Sequence, residues 1–291
     1  MAREASIAER LRASLDRLTP TERRAAATLL GHYPMAGLES VTQFARRAGV
    51  SAPSILRLLG KLGFSGYPEF QEGLREELAA RLESPLGRLR ESHPREGEAR
   101  DFLPLFAERV VDNLRGTVEH LPSAAFDRIV GLLCDERHRV HFLGGRFTGH
   151  LAGYMAAHLR AVRAGVHEVS GHGATWPDML LSVGRRDAVL VFDVRRYQPD
   201  VRSFAERAVA RGARVVLFTD EWNSPIAAVA EHVVLSHTAT RHGWDSLAGL
   251  LVVAEALIAA VSDRLGPRSA ERLRELEELR SGWGGSLPEP E

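Results

Sequence analysis

The sequence predicts two domains: an all-α head carrying a helix-turn-helix, then an α/β domain built on a parallel sheet. Three observations predict it. Residues 1–82 break into short amphipathic helical patterns punctuated by capping residues. Residues 83–100 (ESPLGRLRESHPREGEAR) are polar, with two prolines and two glycines, as a linker should be. From Arg139 onward, five short apolar runs (RVHFL, GVHEV, AVLVFDV, RVVLF, HVVLS) alternate with helical stretches. Runs with little polar alternation suit strands buried on both faces, and alternating βαβ units imply a parallel sheet wrapped by helices.

In order, Ile7, Leu11, Leu15 and Leu18 share one face of a helix over residues 7–18. Thr19-Pro20-Thr21-Glu22 starts the next, with Thr19 as N-cap, Pro20 in the first helical position and Glu22 completing a capping box. That helix is expected to stop near Leu30, before Gly31 and Pro34. Ser40 and Gln43 form a second capping box opening VTQFARRAGVSAPSILRLLG, which reads as a helix-turn-helix. Gly49 supplies the turn's positive φ. Ser51 is expected to cap the second helix, with Pro53 in its first turn. Val50, Ile55 and Leu58 should point into the head's core. A further helix covers about Tyr67 to Arg81. A lead helix follows the linker, with Phe102, Leu105, Phe106, Val110, Leu114 and Val118 on its stripe. In the second domain, helices are expected over Thr148–Ala164, Asp200–Arg211, a short stretch opening at Pro225, and about Trp244 to Leu265 with Asp245-Ser246 as its cap. The α/β domain should thus occupy residues 101–265. Residues 266–291 read as a charged helix and a flexible tail.

Charge sets the function classes. The chain carries 38 basic and 38 acidic residues, so affinity for a polyanion must come from a local patch. Such a patch exists: no Asp or Glu occurs from Ser40 to Pro68, while Arg46, Arg47, Arg57 and Lys61 do. A basic helix-turn-helix suits double-stranded DNA. The second helix would enter the major groove by its N-terminal turn. Ser51, Ala52 and Ser54 are then the base-contact candidates, Arg57 reaches a base or a phosphate, Arg46, Arg47 and Lys61 mostly contact phosphates, and Gln43 is a further DNA-binding candidate. An ordinary basic helical hairpin is the plainer alternative. The single cysteine, Cys134, sits in an apolar run and forbids an internal disulfide. No leader-like segment or apolar run of membrane-spanning length occurs, so a soluble cytoplasmic protein is expected.

Open parallel sheets bind ligands beyond the carboxyl ends of their strands. Gly144-Gly145-Arg146-Phe147-Thr148-Gly149 leaves such an end and opens a helix, so its N–H groups suit an anion, with Arg146 and Thr148 as added donors. Asp193-Val194-Arg195-Arg196-Tyr197 ends the third strand, and Asp193 is placed to pair with Arg195. Thr219-Asp220-Glu221-Trp222-Asn223-Ser224-Pro225 ends the fourth; here Ser224-Pro225 reads chiefly as a helix start. The first loop is G-G-x-x-x-G, not the dinucleotide fingerprint, although Glu168 lies where a ribose-binding acid would sit. His167 and His172 are five apart on a strand-to-loop segment, which does not fit one zinc. His138 and His141 read as packed or surface residues, the twelve histidines form no cluster along the sequence, and no cofactor is expected.

Leu18-Thr19-Pro20 with Glu22-Arg23-Arg24, the helix-turn-helix, and LGFSGYPEF (residues 62–70) resemble the N-terminal domain of RpiR-type bacterial transcription regulators. The second half resembles the sugar-isomerase (SIS) domain these regulators carry, through its strand pattern and ARGARVVLFTDEWNSPIAAVAEHVV. The resemblance implies a doubly wound five-stranded sheet of order 2-1-3-4-5 and a homodimer or homotetramer. It also implies a sugar phosphate, bound at the switch point between the Gly144 and Asp193 loops, that controls affinity for an operator. Two departures stand out. Where the family has Ser-x-Ser-Gly-x-Thr, this chain has Asp193-Val194-Arg195-Arg196-Tyr197-Gln198. Where a serine usually follows the first loop's glycines, Arg146-Phe147-Thr148 stands. Guanidinium groups bind phosphate or carboxylate bidentately, so a small anionic metabolite is the expected effector, with Gly144, Gly145, Arg146, Thr148, Asp193, Arg195, Arg196 and Tyr197 as its site. Two alternatives stay open: a SIS-type phosphosugar isomerase or lyase, and a DNA-binding dimer whose pocket is closed by Asp–Arg pairing.

Overall fold

In a computed structural model of the protein, residues 6–82, 102–171, 173–240 and 243–281 are described; the expected linker, the terminal tail and His172 lie outside them. The head comprises α1 (Ile7–Ser14), a 3-10 turn (Leu15–Arg17), α2 (Pro20–Gly31), α3 (Met35–Leu38), α4 (Val41–Ala48), α5 (Ala52–Lys61) and α6 (Tyr67–Leu82). The single helix expected over residues 7–18 thus tightens after Ser14. Both predicted capping boxes form: Thr19 Oγ1 accepts Glu22 N at 3.4 Å while Glu22 Oε2 accepts Thr19 N at 2.8 Å. Ser40 Oγ accepts Gln43 N at 3.3 Å while Gln43 Oε1 accepts Ser40 N at 3.1 Å. Ser51 is the N-cap of α5, but its hydroxyl makes no capping bond; it faces Ser54 Oγ at 2.9 Å instead. The apolar sides of these helices converge on Leu11, Leu29, Phe44, Ile55, Leu58, Phe70 and Leu74, all buried. Val50 is only half-buried at the edge of that core.

The second domain begins with α7 (Phe102–Glu119) and α8 (Ser123–Cys134). Then come β1 (Arg139–Gly144), α9 (Thr148–Val162), β2 (Val166–Glu168), α10 (Trp176–Leu180) and β3 (Asp187–Asp193). They are followed by α11 (Pro199–Ala210), β4 (Arg214–Asp220), a 3-10 turn (Pro225–Ala228), β5 (His232–Ser236), α12 (Ala248–Leu265) and α13 (Pro267–Ser281). The sheet is parallel, in order β2-β1-β3-β4-β5. Every residue of β3 is buried, which its unbroken apolar run required. Phe142, Phe192 and Phe218 face α8, α9 and α12; Val189, Val191, Val215 and Leu217 face α10 and α11. Phe192 and Phe218 stack with centroids 4.4 Å apart. Each such side chain contributes about 1.5–3 kcal/mol on burial.

Two expectations are corrected. The short helix at Pro225 is a 3-10 turn. The long final helix starts at Ala248, after an N-cap at Leu247, so Asp245 is not its cap. His141 is packed, in keeping with its sequence reading: its Nε2 lies 3.0 Å from Asp187 Oδ1, at the amino end of the sheet, and burial lowers its pKa.

The head rests on the carboxyl ends of β4 and β5. Ser6 Oγ donates to the Glu221 carbonyl at 3.3 Å, and Asn223 Nδ2 donates to the Leu30 carbonyl at 3.4 Å. Glu9 Oε1 lies 3.2 Å from His237 Nε2. This places the head on the side of the sheet where an open α/β fold binds ligands.

Candidate functional site

The helix-turn-helix is closed by Gly49, whose φ of 63° is left-handed. A Cβ there would meet nothing within 4 Å, so conformation alone demands glycine. The Val50 N–H reaches the Ala45 carbonyl at 3.0 Å, fixing the turn. Ile55, Leu58 and Leu59 anchor α5 to the core, which leaves Ser51, Pro53, Leu56, Arg57, Gly60 and Lys61 outward.

The predicted DNA contacts divide. Ser51 and Arg57 are exposed on α5, and Ala52 is half-buried beside them. Gln43 and Arg46 are exposed on α4, with the Gln43 amide engaged in its cap. Ser54 is buried, at 3% exposure, and accepts Arg57 Nη2 at 3.0 Å; it aims Arg57 instead of meeting bases itself. Two cations are partly committed. Lys61 Nζ pairs with Glu22 Oε2 at 2.7 Å and donates to the Arg17 carbonyl at 3.3 Å. Arg47 forks onto Glu39, with its Nε 3.2 Å from Oε2. Glu39 sits one residue before the acid-free window, and Glu22 reaches Lys61 only through the tertiary fold, so the window overstated the free charge. Arg46 and Arg57 form no ion pair among the described residues, although Glu39 also feels the charge of Arg46. Leu56, 47% exposed, shares the outward face of α5 with Arg57, a position the charge pattern missed. Its signal was periodicity, since it falls off the Ile55–Leu58–Leu59 face. An exposed apolar side chain in the major groove can meet a thymine methyl.

At the sheet, the Gly144 loop packs tightly on itself. A Cβ on Gly144 would stand 2.5 Å from Gly149 N, so only glycine fits. Thr148 Oγ1 accepts Gly145 N at 2.9 Å and donates to the Phe192 carbonyl at 2.6 Å, and the Arg146 N–H is taken by Gln198 Oε1. The Gly144 and Asp193 loops are therefore joined, as the switch-point placement required. The Asp193 loop turns sharply: Arg195, Arg196 and Tyr197 have φ of 30°, 68° and 22°. Arg196 stands where the SIS pattern has glycine. Left-handed conformations cost a non-glycine residue on the order of 1–3 kcal/mol each, so the surroundings must hold the turn.

Asp220 does much of that holding. It accepts Arg195 N at 2.6 Å, Trp222 N at 3.1 Å and the Tyr197 hydroxyl. Burial, with Glu221 next to it, pushes its carboxyl up to about 7. Besides the expected Asp193–Arg195 proximity, each of the two residues has a partner in another segment. Asp193 Oδ2 accepts the Ser224 hydroxyl, while Arg195 Nε lies 2.8 Å from Asp245 Oδ2 and its guanidinium stacks 3.8 Å over Trp222. The start of α12 at Ala248 leaves Asp245 outside the helix, where it pairs with Arg195. Arg195 is almost wholly buried; Arg146 and Arg196 are exposed, with no acidic partner among the described residues. Exposed Phe147 and Trp244 meet edge to face at 5.9 Å beside Arg146.

Two family models match this chain: the helix-turn-helix domain of the rpiR family over residues 5–81, and the SIS domain over residues 132–260. Together they match more than half of it. The chain belongs to the rpiR family. Within the rpiR family's neighbourhood lies the HTH-type transcriptional regulator HexR of Pseudomonas aeruginosa, 28% identical over 139 residues, covering 48% of this chain and 47% of HexR. The bifunctional protein glk of Paraburkholderia xenovorans is 26% identical over 287 residues, which is 95% of this chain and 43% of that protein. The chain thus spans less than half the length of these curated relatives. The sugar isomerase domain of an RpiR transcription factor from Sphaerobacter thermophilus superposes with a TM-score of 0.55 at 25% identity, over 60% of this chain and 97% of that one. The Vibrio vulnificus NanR protein, solved in complex with ManNAc-6P, superposes with a TM-score of 0.53 at 17% identity, over 94% and 97%. The rpiR chain described here therefore joins an rpiR head to a SIS domain. No helix among its described residues is long and apolar enough to cross a membrane.

Proposed function

We propose that this rpiR-family regulator binds an operator through α5 and releases or tightens it when an anionic metabolite enters the strand-end site. One observation carries the coupling. The loop after β4 serves both partners: Asp220 holds the Arg195–Tyr197 turn, while the Glu221 carbonyl and the Asn223 amide hold the head. A ligand that remakes the Arg195 turn must shift the seat of the head. That supplies the differential contact that coupling between two sites requires.

Arg146 and Arg196 supply the positive charge for the effector's phosphate or carboxylate, with Thr148 beneath them. Phe147 and Trp244 offer an apolar rim for its carbon skeleton. NanR's ligand, ManNAc-6P, has this combination of anion and carbon frame. The variant loop favours guanidinium over hydroxyl contacts, so sugar phosphates and sugar acids are both in the class. A base for an isomerase would have to reach substrate, whereas Asp193 is buried and accepts the Ser224 hydroxyl, and Asp245 pairs with Arg195. The acting unit is a homodimer or homotetramer, matching the two-fold symmetry of a palindromic operator.

The test is fluorescence anisotropy on a genomic operator fragment, titrated with a panel of sugar phosphates and sugar acids. At least one should change operator affinity five-fold or more in wild type and lose that effect in Arg146→Ala/Arg196→Ala. Operator binding that no member of the panel alters would overturn the effector reading, and absence of any sequence-specific binding would overturn the regulator reading.

A further inference from the structure

Along the sequence the twelve histidines form no cluster, but the fold makes one. Glu9 of α1, His120 just after α7 and His237 just after β5 bring one ligand atom each within 4.8 Å of the others. We propose that these three residues bind a divalent transition metal of the zinc class, which ties the head to the second domain.

The geometry is close to what such an ion needs. Zinc bound by nitrogen and carboxylate oxygen at about 2.0–2.2 Å holds its ligand atoms roughly 3.4 Å apart. His237 Nε2 and Glu9 Oε1 are 3.2 Å apart, yet that buried nitrogen makes no hydrogen bond. The His120 ring stands 5.2 Å from the His237 ring at 60°. The supporting contacts are also those of a metal site. His120 Nδ1 lies 2.7 Å from the Gly116 carbonyl, which fixes the tautomer with Nε2 as the lone-pair nitrogen. Glu9 is 4% exposed, and its other oxygen accepts the Ser6 N–H at 2.8 Å, so the carboxylate is oriented from behind. Gly116 leaves room for His237: a Cβ there would stand 2.8 Å from the ring. His120 is exposed and gives an ion a way in.

Two imidazoles and one carboxylate select the ion. Calcium takes six to eight oxygens and magnesium an octahedral oxygen shell, neither of which this set offers. Imidazole donors suit zinc, cobalt and nickel. Three protein ligands leave a position for water. Glu9 comes from the head and both histidines from the other domain, so the ion acts as a staple across the docking surface that the β4 loop also holds. This proposal rests on that docking and not on the identity of the effector.

The test uses full-length protein stripped with a chelator, titrated with ZnCl2 and with CoCl2. Wild type should bind about one ion per chain, melt several degrees higher with metal, and give a visible cobalt absorption of low-coordinate type. His120→Ala removes an exposed ligand and keeps the Glu9–His237 contact, so it should fold and melt like metal-free wild type while losing at least tenfold in zinc affinity. His237→Ala should lose the cobalt band. Saturable binding unchanged in both variants, or no saturable binding in wild type, would overturn the proposal.

Discussion

The guanidinium of Arg195 sits over the indole of Trp222 at 3.8 Å while its Nε reaches Asp245 at 2.8 Å. One side chain thereby joins three segments distant in sequence: the turn after β3, the loop after β4 and the approach to α12. Arg195→Ala would leave Asp245 facing its site without that cation. Removing one partner of a buried pair costs about 3–5 kcal/mol, and the stacking adds to the loss. The melting temperature should fall by several degrees. Arg196→Ala, at an exposed position, should leave it nearly unchanged; equal melting of both variants would contradict the assignment of the buried role to Arg195.

Asp220 makes stability fall as pH rises. Its carboxyl is raised from 3.8 to about 7, so the folded state binds a proton that the unfolded state has released between those values. The contribution is fully present below about pH 4 and is lost as pH rises through about 7, on the order of a few kcal/mol. Asp220→Asn cannot titrate. Its stability curve between pH 5 and 8, measured by urea denaturation, should be flatter than that of wild type.

On the DNA face, Arg57 and Lys61 should separate. Arg57→Ala should lower operator affinity and reduce the salt dependence of binding by about one counterion. Lys61→Ala should cost less affinity, because Glu22 already holds that ammonium, and should lower stability by no more than about 1 kcal/mol, since the lysine is partly exposed. Matched effects on affinity would mean that Lys61 leaves Glu22 when DNA binds.

Gly49 offers a purely conformational test. With open space around it and φ at 63°, Gly49→Ala should cost about 1 kcal/mol, and Gly49→Asn less, because asparagine tolerates the left-handed region. Chemical denaturation of the two variants checks the order.

The head was legible because its signals are local. Thr19 with Glu22 and Ser40 with Gln43 are reciprocal contacts three residues apart, and Gly49 is needed where any helical turn of this kind needs it. The sheet was legible because β3 is apolar throughout. The pairing of charges was not legible. Glu22 and Lys61 are 39 residues apart, and Asp245 meets Arg195 because α12 starts only at Ala248, beyond it. The reach of the β4 loop was hidden too. Ser224 does cap the 3-10 turn, accepting Ile226 N at 3.2 Å, and that local use masked its second bond to Asp193 and its neighbours' hold on the head.

The partial neutralisation of the reading surface bears on how the protein searches a genome. The chain has no net charge, and two of the four cations on its helix-turn-helix already face their own carboxylates. Weak attraction to arbitrary sequence means brief visits to the wrong sites and a larger pool of molecules off the DNA. On the proposed function, a regulator that lingers little on the genome at large would exchange quickly with its operator, so occupancy would follow a rise or fall in metabolite without first draining a reservoir of nonspecifically held protein.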